Sequence, residues 1–110
     1  MQIPAEWNLD PSKLSDYLLA PRPRDDKSKF LLQAGFQRER PDLLESAVRD
    51  LATEVEAIED GSNEYGTFWR VAGILHGPSG VDLAVVAIWI RWAVDGTFHF
   101  VTLKPDKNLP

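Results

Sequence analysis

The clearest pattern of hydrophobic and polar residues lies in the last quarter of the chain. Two runs rich in β-branched and aromatic residues, 81–94 and 97–104, flank the dipeptide Asp95-Gly96. A two-residue type I′ turn needs positive φ at both central positions, and Asp-Gly adopts that conformation at little cost. The pattern therefore predicts a β-hairpin with Asp95-Gly96 at its tip.

A helical stripe in the middle of the chain is the next clearest pattern. Pro41 suits the first turn of a helix, and the apolar positions after it recur with a period near 3.6 residues. These positions are Leu43, Leu44, Ala47, Val48, Leu51, Ala52 and Val55. We expect the helix to end between residues 53 and 57, and a first edge strand to cover residues 55–59.

Two shorter helices precede this one. Asp10-Pro11 is typical of a helix start, with aspartate as the N-cap and proline at the first helical position, and Pro21 ends that helix. A second helix over residues 27–34 ends at Gly35, since glycine suits the left-handed conformation that follows a helix. Phe36 can then fold back onto the last helical turn.

A strand over residues 67–75 completes the predicted sheet, and its Gly73 indicates a bulge or the close approach of another backbone. Three helices followed by three or four antiparallel strands predict an α+β fold, with the N-terminal helices packed on one face of the sheet. We expect one small domain over residues 1–110, with an N-terminal arm over residues 1–10 and a tail over residues 105–110. Ile3, Trp7 and Leu9 are the arm residues suited to docking on the body.

The predicted turn also fixes the register of the hairpin, and the register fixes which side chains share a face. One face would carry the pairs Val94–Thr97, Trp92–His99, Ile90–Val101 and Ile88–Leu103. The other would carry the pairs Ala93–Phe98, Arg91–Phe100, Trp89–Thr102 and Ala87–Lys104. The first face is mostly aliphatic, so we expect it to pack against the helices and the second to be exposed or to bind a ligand.

Composition narrows the class of protein. The net charge of −5 lowers the expectation of non-specific nucleic-acid binding, which depends on Lys and Arg neutralising phosphates. The absence of cysteine excludes disulfides and thiolate catalysis, and it favours a bacterial, cytoplasmic protein. The longest apolar run, residues 83–90, has the length of a strand, so no transmembrane helix is expected. Residues 1–10 lack the basic start and apolar stretch of a signal peptide.

Candidate chemistry lies mainly on the predicted sheet. Arg91, Thr102 and Lys104 beside aromatic rings could bind phosphates and bases, although long cationic side chains covering rings on an exposed face explain the same pattern. His76 has a side chain suited to general acid–base catalysis, although it lies in a Gly/Pro turn where a solvated histidine is commoner. His99 is placed to pack across the strands on Trp92.

Other types of site find little support in the sequence. Two distant histidines without cysteine make a poor zinc site, and residues 77–80 lack the spacing of a phosphate loop. The densest basic cluster combines Lys27 and Lys29 with Arg22 and Arg24, but neighbouring aspartates favour a solvated loop. We expect no metal and no cofactor.

Several short motifs together carry a family resemblance. They are YLL at residues 17–19, KSKFLLQAGF at 27–36, YG at 65–66, GxLxGPxG at 73–80, the tryptophan strand at Trp89 and FVTxxP at 100–105. In this order the chain resembles, over about residues 13–105, a small uncharacterised bacterial domain family associated with toxin–antitoxin and polymorphic-toxin systems. The resemblance implies a layout of helices followed by a sheet, similar to barnase-like endoribonuclease toxins.

The resemblance also implies which residues matter. Lys27 corresponds to a family lysine, and Thr102 and Pro105 correspond to the terminal VTxxP. The chain departs from the family pattern at Val81, where an arginine is expected, and at Lys104, where an aromatic hydroxyl is expected. Loss of an arginine weakens the case for catalysis, since RNA cleavage without a metal needs cations to stabilise the phosphorane.

Two functional hypotheses follow. The favoured one is a non-catalytic protein-binding or regulatory module, whose partner is another protein or a second copy of the chain. The alternative is a metal-independent ribonuclease-type toxin domain. In it, one set of residues would converge on a cleft between the second helix and the sheet: Lys27, His76, Arg91, Thr102 and Lys104. His76 would be the base and the cations would bind RNA phosphate. The sequence leaves open whether the chain is an enzyme, and neither hypothesis involves a membrane.

Overall fold

The computed structural model describes residues 1–24 and 26–107. Three helices come first: α1 (Lys13–Leu18), α2 (Ser28–Leu32) and α3 (Pro41–Glu54). Four strands follow: β1 (Ile58–Ser62), β2 (Gly66–His76), β3 (Asp82–Trp92) and β4 (Phe98–Pro105). The strands form one antiparallel sheet in the order β1-β2-β3-β4, which confirms the expected α+β fold. Of the expected tail, Pro105 belongs to β4, and residues 108–110 lie outside the described residues.

Helix α3 matches its predicted stripe and packs against the sheet. Leu44, Val48 and Leu51 are buried on its inner side, and the helix ends within the expected interval. The edge strand, however, begins at Ile58 and not at residue 55. The Val55 amide still donates to the Leu51 carbonyl at 3.1 Å, so this residue closes the helix and cannot start the strand.

The two short helices are shorter than the sequence predicts. Helix α1 begins at Lys13, two residues after Pro11, and the Leu19 amide bonds to the Leu14 carbonyl at 2.8 Å in a wide i→i+5 turn. Helix α2 covers only Ser28–Leu32. Gly35 does adopt positive φ, at 91°, and Phe36 folds back with its amide 3.2 Å from the Leu31 carbonyl.

The connection between β3 and β4 differs from the predicted two-residue turn. The Trp92 amide donates to the Thr97 carbonyl at 2.9 Å, so the loop has four residues, 93–96. The Asp95 carboxylate accepts from the Thr97 amide at 2.9 Å and from the Thr97 hydroxyl at 2.6 Å. Asp95 therefore serves as a side-chain acceptor that closes the loop, and Gly96 supplies the positive φ of 75°.

The longer loop shifts the register, and a bulge shifts it again. Trp89 lies opposite Phe100 and Ile88 lies opposite Thr102, so Val101 is an extra residue in β4. The predicted faces are therefore wrong for β3 and for Phe98 and Phe100 of β4, whereas Leu103 is buried as expected. Trp89 and Phe100 are 0% and 2% exposed and face the helices, whereas Ile88 and Trp92 lie on the opposite face.

An aromatic cluster joins the N-terminal arm to this inner face. The Trp7 ring meets Trp89 edge-on at 5.5 Å between centroids, and Phe100 lies 5.5 Å from Trp89 and 6.0 Å from Trp7. The Asn8 amide donates to the Phe98 carbonyl at 2.8 Å, and the Phe100 amide donates to the Asn8 carbonyl at 2.9 Å. As expected, Ile3 and Trp7 are buried, and the arm runs beside the β4 edge.

Gly73 is a point of close approach between sheet and helix. The register of β2 against β3 is continuous through this residue, so the position is not a bulge. A Cβ added there would lie 2.8 Å from Leu51 Cδ1 and 2.9 Å from Val55 Cγ2. The side chains of Leu51 and Val55 therefore pack directly on the backbone of Gly73, where a larger residue would clash with them.

We predict that Gly73→Ala lowers the free energy of unfolding by about 1–3 kcal/mol, because the new methyl overpacks this contact. Urea denaturation followed by tryptophan fluorescence measures the change. Ala72→Val, on an exposed neighbouring position of the same strand, is the control and should change stability little. Equal midpoints for wild type and Gly73→Ala would contradict the close approach.

Candidate phosphate-binding cleft

A cleft of about 470 Å³ lies between α1 and β4. Its lining residues are Asp10, Ser12, Lys13, Tyr17, Val101 and Thr102. The volume falls within the range of small-ligand sites, and the lining combines cationic, hydroxyl and carboxylate groups with one aromatic ring.

Two similar turns place the lysines of this cleft. In each, an aspartate Oδ1 accepts from the amide and the hydroxyl of the serine two residues later: Asp10 from Ser12 at 3.0 and 2.8 Å, and Asp26 from Ser28 at 2.9 and 2.5 Å. These hydrogen bonds hold the pKa of both carboxyls below the ordinary value. Lys13 begins α1 directly after the first turn, and Lys27 lies inside the second.

The bulge in β4 supplies acceptors for both lysines. Lys13 Nζ donates to the Val101 carbonyl at 3.2 Å, and Lys27 Nζ donates to Thr102 Oγ1 at 3.1 Å. A bulge locally disrupts the regular ladder and re-aims the groups around it. The extra residue therefore brings a carbonyl and the next hydroxyl to the same end of the cleft.

Positive charge collects around the Tyr17 ring. Arg22 Cζ lies 4.4 Å and Lys27 Nζ lies 5.4 Å from the ring centroid, which are cation–π distances. Within residues 1–24 and 26–107, no carboxylate oxygen lies within 4.0 Å of the side-chain nitrogens of Lys13, Arg22 or Lys27. In an acidic protein, this cleft is a local concentration of positive charge, which favours an anionic ligand.

The structure brings three of the five predicted site residues close together. Lys27 and Thr102 are hydrogen-bonded, as described above. Lys104 follows Thr102 by two residues along β4, which corresponds to about 7 Å, and such residues share a face of a strand. The remaining two, His76 and Arg91, lie elsewhere.

His76 lies at the far end of β2, opposite Asp82. Thr102 in the cleft pairs with Ile88 of β3, which is six residues from Asp82 along that strand. His76 is therefore about 20 Å from the cleft along the strands. Arg91 lies against the β3–β4 loop. A Cβ added to Gly96 in this loop would be 3.0 Å from Arg91 Nη2. Neither side chain therefore reaches a ligand held between Lys27 and Thr102.

Lys13, Tyr17 and Asp10 were missed as site residues. The sequence does carry a signal for them, because Lys13 and Tyr17 are four residues apart and so share a face of the predicted first helix. The repeated Asp-x-Ser pattern at Asp10 and Asp26 is a second signal, since each aspartate organises a turn beside a lysine. Their convergence depends on the bulge in β4, which the sequence does not reveal.

Two further findings concern metal ligands and the membrane. In the part of the chain that the structure describes, no three His, Asp or Glu side chains are grouped so as to bind a metal ion. None of the described helices is long and apolar enough to cross a membrane.

The chain belongs to a family described as a domain of unknown function (DUF6883), whose sequence profile matches residues 5–107. No curated protein matches the chain significantly in sequence. The fold is similar to a chain of a contact-dependent growth inhibition toxin–immunity protein complex from Klebsiella pneumoniae 342, with a TM-score of 0.68 and 17% identity. The similarity covers 89% of this chain and 98% of that one, and it confirms the expected layout of helices followed by a sheet.

The isolated His76–Asp82 pair gives a testable titration. His76 Nδ1 lies 2.8 Å from Asp82 Oδ1, and this hydrogen bond raises the pKa of His76, with smaller contributions from the charges of Asp82, Glu54 and Asp50. The pair therefore stabilises the folded state below the ordinary histidine pKa, and this contribution is lost as the pH rises through the raised value.

We predict that Asp82→Asn lowers the pKa of His76 towards its ordinary value, because it replaces the charged acceptor with a neutral, weaker one and so removes the largest nearby charge. Histidine ring resonances in an NMR titration give the pKa. Asp50→Asn, which removes a weaker and more distant charge, should cause a smaller decrease. A pKa that is the same in the wild type and Asp82→Asn would show that the pair is absent in solution.

Proposed function

We propose that this domain is the toxin half of a toxin–immunity pair and that it cleaves RNA in the Lys27–Thr102 cleft without a metal ion. The observation that carries the proposal is that Lys13 lines this cleft while Arg22 and Lys27 lie at the Tyr17 ring on its border, in an otherwise acidic chain. The fold similarity to a chain of a toxin–immunity protein complex supports the biological setting. Since RNA is abundant in the cytoplasm, we propose that the toxin acts there.

The cleft has the groups that phosphodiester binding requires. Ammonium groups of Lys13 and Lys27 provide charge-assisted hydrogen bonds to phosphate oxygens. The side-chain donors of Lys13 and Lys27 are already directed by the acceptors on Val101 and Thr102. Groups held in place before the ligand binds stabilise developing charge at little reorganisation cost.

The cleft also contains a proton acceptor. Both hydrogen bonds that Asp10 receives from Ser12 go to Oδ1, so among the described residues no hydrogen bond occupies Oδ2. We assign Asp10 as the base that removes the proton from the ribose 2′-hydroxyl, in place of His76, which the sequence analysis assigned to this role. The hydrogen bonds from Ser12 lower the pKa of Asp10, which keeps the carboxylate ionised at neutral pH and also makes it a weaker base.

The proposed reaction is an in-line displacement at phosphorus. The 2′-oxygen forms a bond to phosphorus as Asp10 takes its proton, and the bond from phosphorus to the 5′-oxygen breaks. The leaving oxygen takes a proton from a lysine ammonium group of the cleft, and the proton that Asp10 accepted then passes through water to the neutral lysine amine, which restores both groups. The products are a 2′,3′-cyclic phosphate and a 5′-hydroxyl, and Lys13 and Lys27 stabilise the charge on the phosphorane.

The second candidate is the favoured hypothesis from the sequence, a non-catalytic module that binds a partner protein. The net charge of −5 and the positions of His76 and Arg91 outside the cleft favour it. It also agrees with the similarity to a chain that belongs to a complex of two proteins. The two candidates differ in one respect that can be measured, since only the first requires the cleft residues for an activity on RNA.

We predict that expression of the wild-type chain arrests bacterial growth and that the purified protein cleaves RNA. Lys27→Ala and Asp10→Asn should each reduce the cleavage rate by roughly 100-fold or more, the loss typical of removing a charge-stabilising group or a general base. The measurements are growth after induction and the appearance of 2′,3′-cyclic phosphate ends.

Lys29→Ala is the matched control, because this exposed lysine lies in α2, two residues beyond Lys27, which immediately precedes the helix. It should keep full activity. Cleavage that survives Lys27→Ala, or an absence of cleavage and arrest at high protein concentration, would contradict the ribonuclease proposal. The second result would leave the partner-binding module as the function.

A further inference from the structure

We propose that Tyr65 and Trp92 form a stacking site for one base of the RNA strand whose phosphate occupies the Lys27–Thr102 cleft. This inference rests on the proposed function and adds a contact that determines which nucleotide is bound. The two rings line a second cavity of about 390 Å³, together with Glu64, Ala93 and Val94. Single-stranded nucleic acids bind proteins by stacking bases on exposed aromatic rings.

Tyr65 and Trp92 do not belong to the hydrophobic core. Tyr65 is 68% exposed and Trp92 is 41% exposed, whereas Trp7 and Trp89 are buried in the aromatic cluster. Large aromatic rings grouped at the surface mark a binding site more often than a structural one. Both rings therefore offer exposed aromatic surface to a planar ligand in this cavity.

A chain of contacts holds the Trp92 ring in place. The His99 ring stacks on it at 3.6 Å between centroids and 20° between planes. His99 Nε2 lies 2.7 Å from Thr97 Oγ1, and that hydroxyl gives its hydrogen to Asp95 Oδ1 at 2.6 Å. The Thr97 hydroxyl has only one hydrogen, so it must accept from His99 Nε2. Nε2 therefore carries a hydrogen, and this bond holds the orientation of the imidazole ring. A ring fixed in this way is preorganised for stacking.

The Tyr65 side of the cavity is anchored through its backbone. Asn63 Oδ1 accepts from the amides of Tyr65 at 2.8 Å and Gly66 at 3.2 Å. The Ala93 amide then donates to the Tyr65 carbonyl at 2.9 Å. The turn before β2 is thereby tied to the loop after β3, and the cavity between the two rings is part of the folded sheet.

The position of this cavity suits an RNA strand that runs out of the cleft between α1 and β4. Trp92 and Ile88 lie on the same face of β3, four residues and so about 13 Å apart, and Ile88 is the partner of Thr102. His99 lies on β4 between the two sites. An extended stretch of single strand therefore spans from the phosphate at Lys27 to a base at Trp92.

Glu64 determines which part of the nucleotide enters the cavity. A carboxylate repels phosphate, and it accepts hydrogen bonds from the amino groups of adenine, guanine and cytosine. Uracil has no exocyclic amino group. The cavity should therefore take a base and not the backbone, and it should prefer bases that carry an amino group over uracil.

The test measures binding of the full chain to short RNA oligomers whose 2′-hydroxyls are methylated, so that they cannot be cleaved. One tetranucleotide carries adenine bases, a second carries uracil, and a third is an abasic backbone. NMR detects the Trp92 indole resonance and the amides of Lys27 and Thr102, and fluorescence anisotropy gives the affinities. Trp92→Ala and Tyr65→Ala are compared with Ile74→Ala, an exposed residue at the other end of β2.

We expect the adenine oligomer to shift the Trp92 indole as well as the amides of Lys27 and Thr102, and the abasic oligomer to shift only those amides. Trp92→Ala should weaken binding of the adenine oligomer roughly 5- to 100-fold, the range measured for loss of one stacked base, and should leave abasic binding unchanged. Trp92→Phe should retain most of the affinity, and Ile74→Ala should retain all of it.

The outcomes separate the two proposals. If every oligomer shifts Lys27 and none shifts Trp92, the stacking site is wrong while the cleft stands. If the adenine oligomer shifts Trp92 but not Lys27, the cleft is wrong and the stacking site stands. If no oligomer shifts either residue, both are wrong, and the exposed rings belong to a protein-binding surface.

Discussion

The packing of Trp7, Trp89 and Phe100 is the contact on which the rest of this structure depends. The three rings close the inner layer between the arm and the sheet, with centroids 5.5–6.0 Å apart. Burial of rings of this size dominates core energetics, and edge-to-face contacts add to it. Because Phe100 must face inwards opposite Trp89, and Leu103 must also be buried, β4 needs one extra residue between them. That residue is Val101.

The same bulge has a consequence for function. The Val101 carbonyl and the Thr102 hydroxyl become the acceptors that hold Lys13 and Lys27, so the packing of the core determines the geometry of the cleft. The arm contributes to both, since it covers the β4 edge through Asn8 and leads into Asp10. A cationic cleft in an acidic protein is thus a product of topology and not of overall charge.

Much of the fold could be predicted from local patterns, and much of the site could not. The stripe after Pro41, the glycine at Gly35 and the order of helices and strands follow from periodicity and turn chemistry, which act within a few residues. The hairpin register depended on whether Asp95 sits at a turn centre or bonds to Thr97, and the sequence permits both. That error exchanged the faces of the sheet and left Trp89 on the wrong side. Lys27 and Thr102 were identified through a family resemblance, whereas Lys13 and Tyr17 needed the bulge, a tertiary feature.

A double-mutant cycle between Lys27 and Thr102 tests most directly whether the fold brings these two residues together to act on RNA. The cycle compares the cleavage rates of the wild type, Lys27→Met, Thr102→Val and the double variant. If the hydrogen-bonded pair acts as a unit, the two losses should be non-additive, with a coupling energy of about 0.5–3 kcal/mol. Additive losses, or a Thr102→Val variant as active as the wild type, would contradict the assignment of this cleft as the site of catalysis.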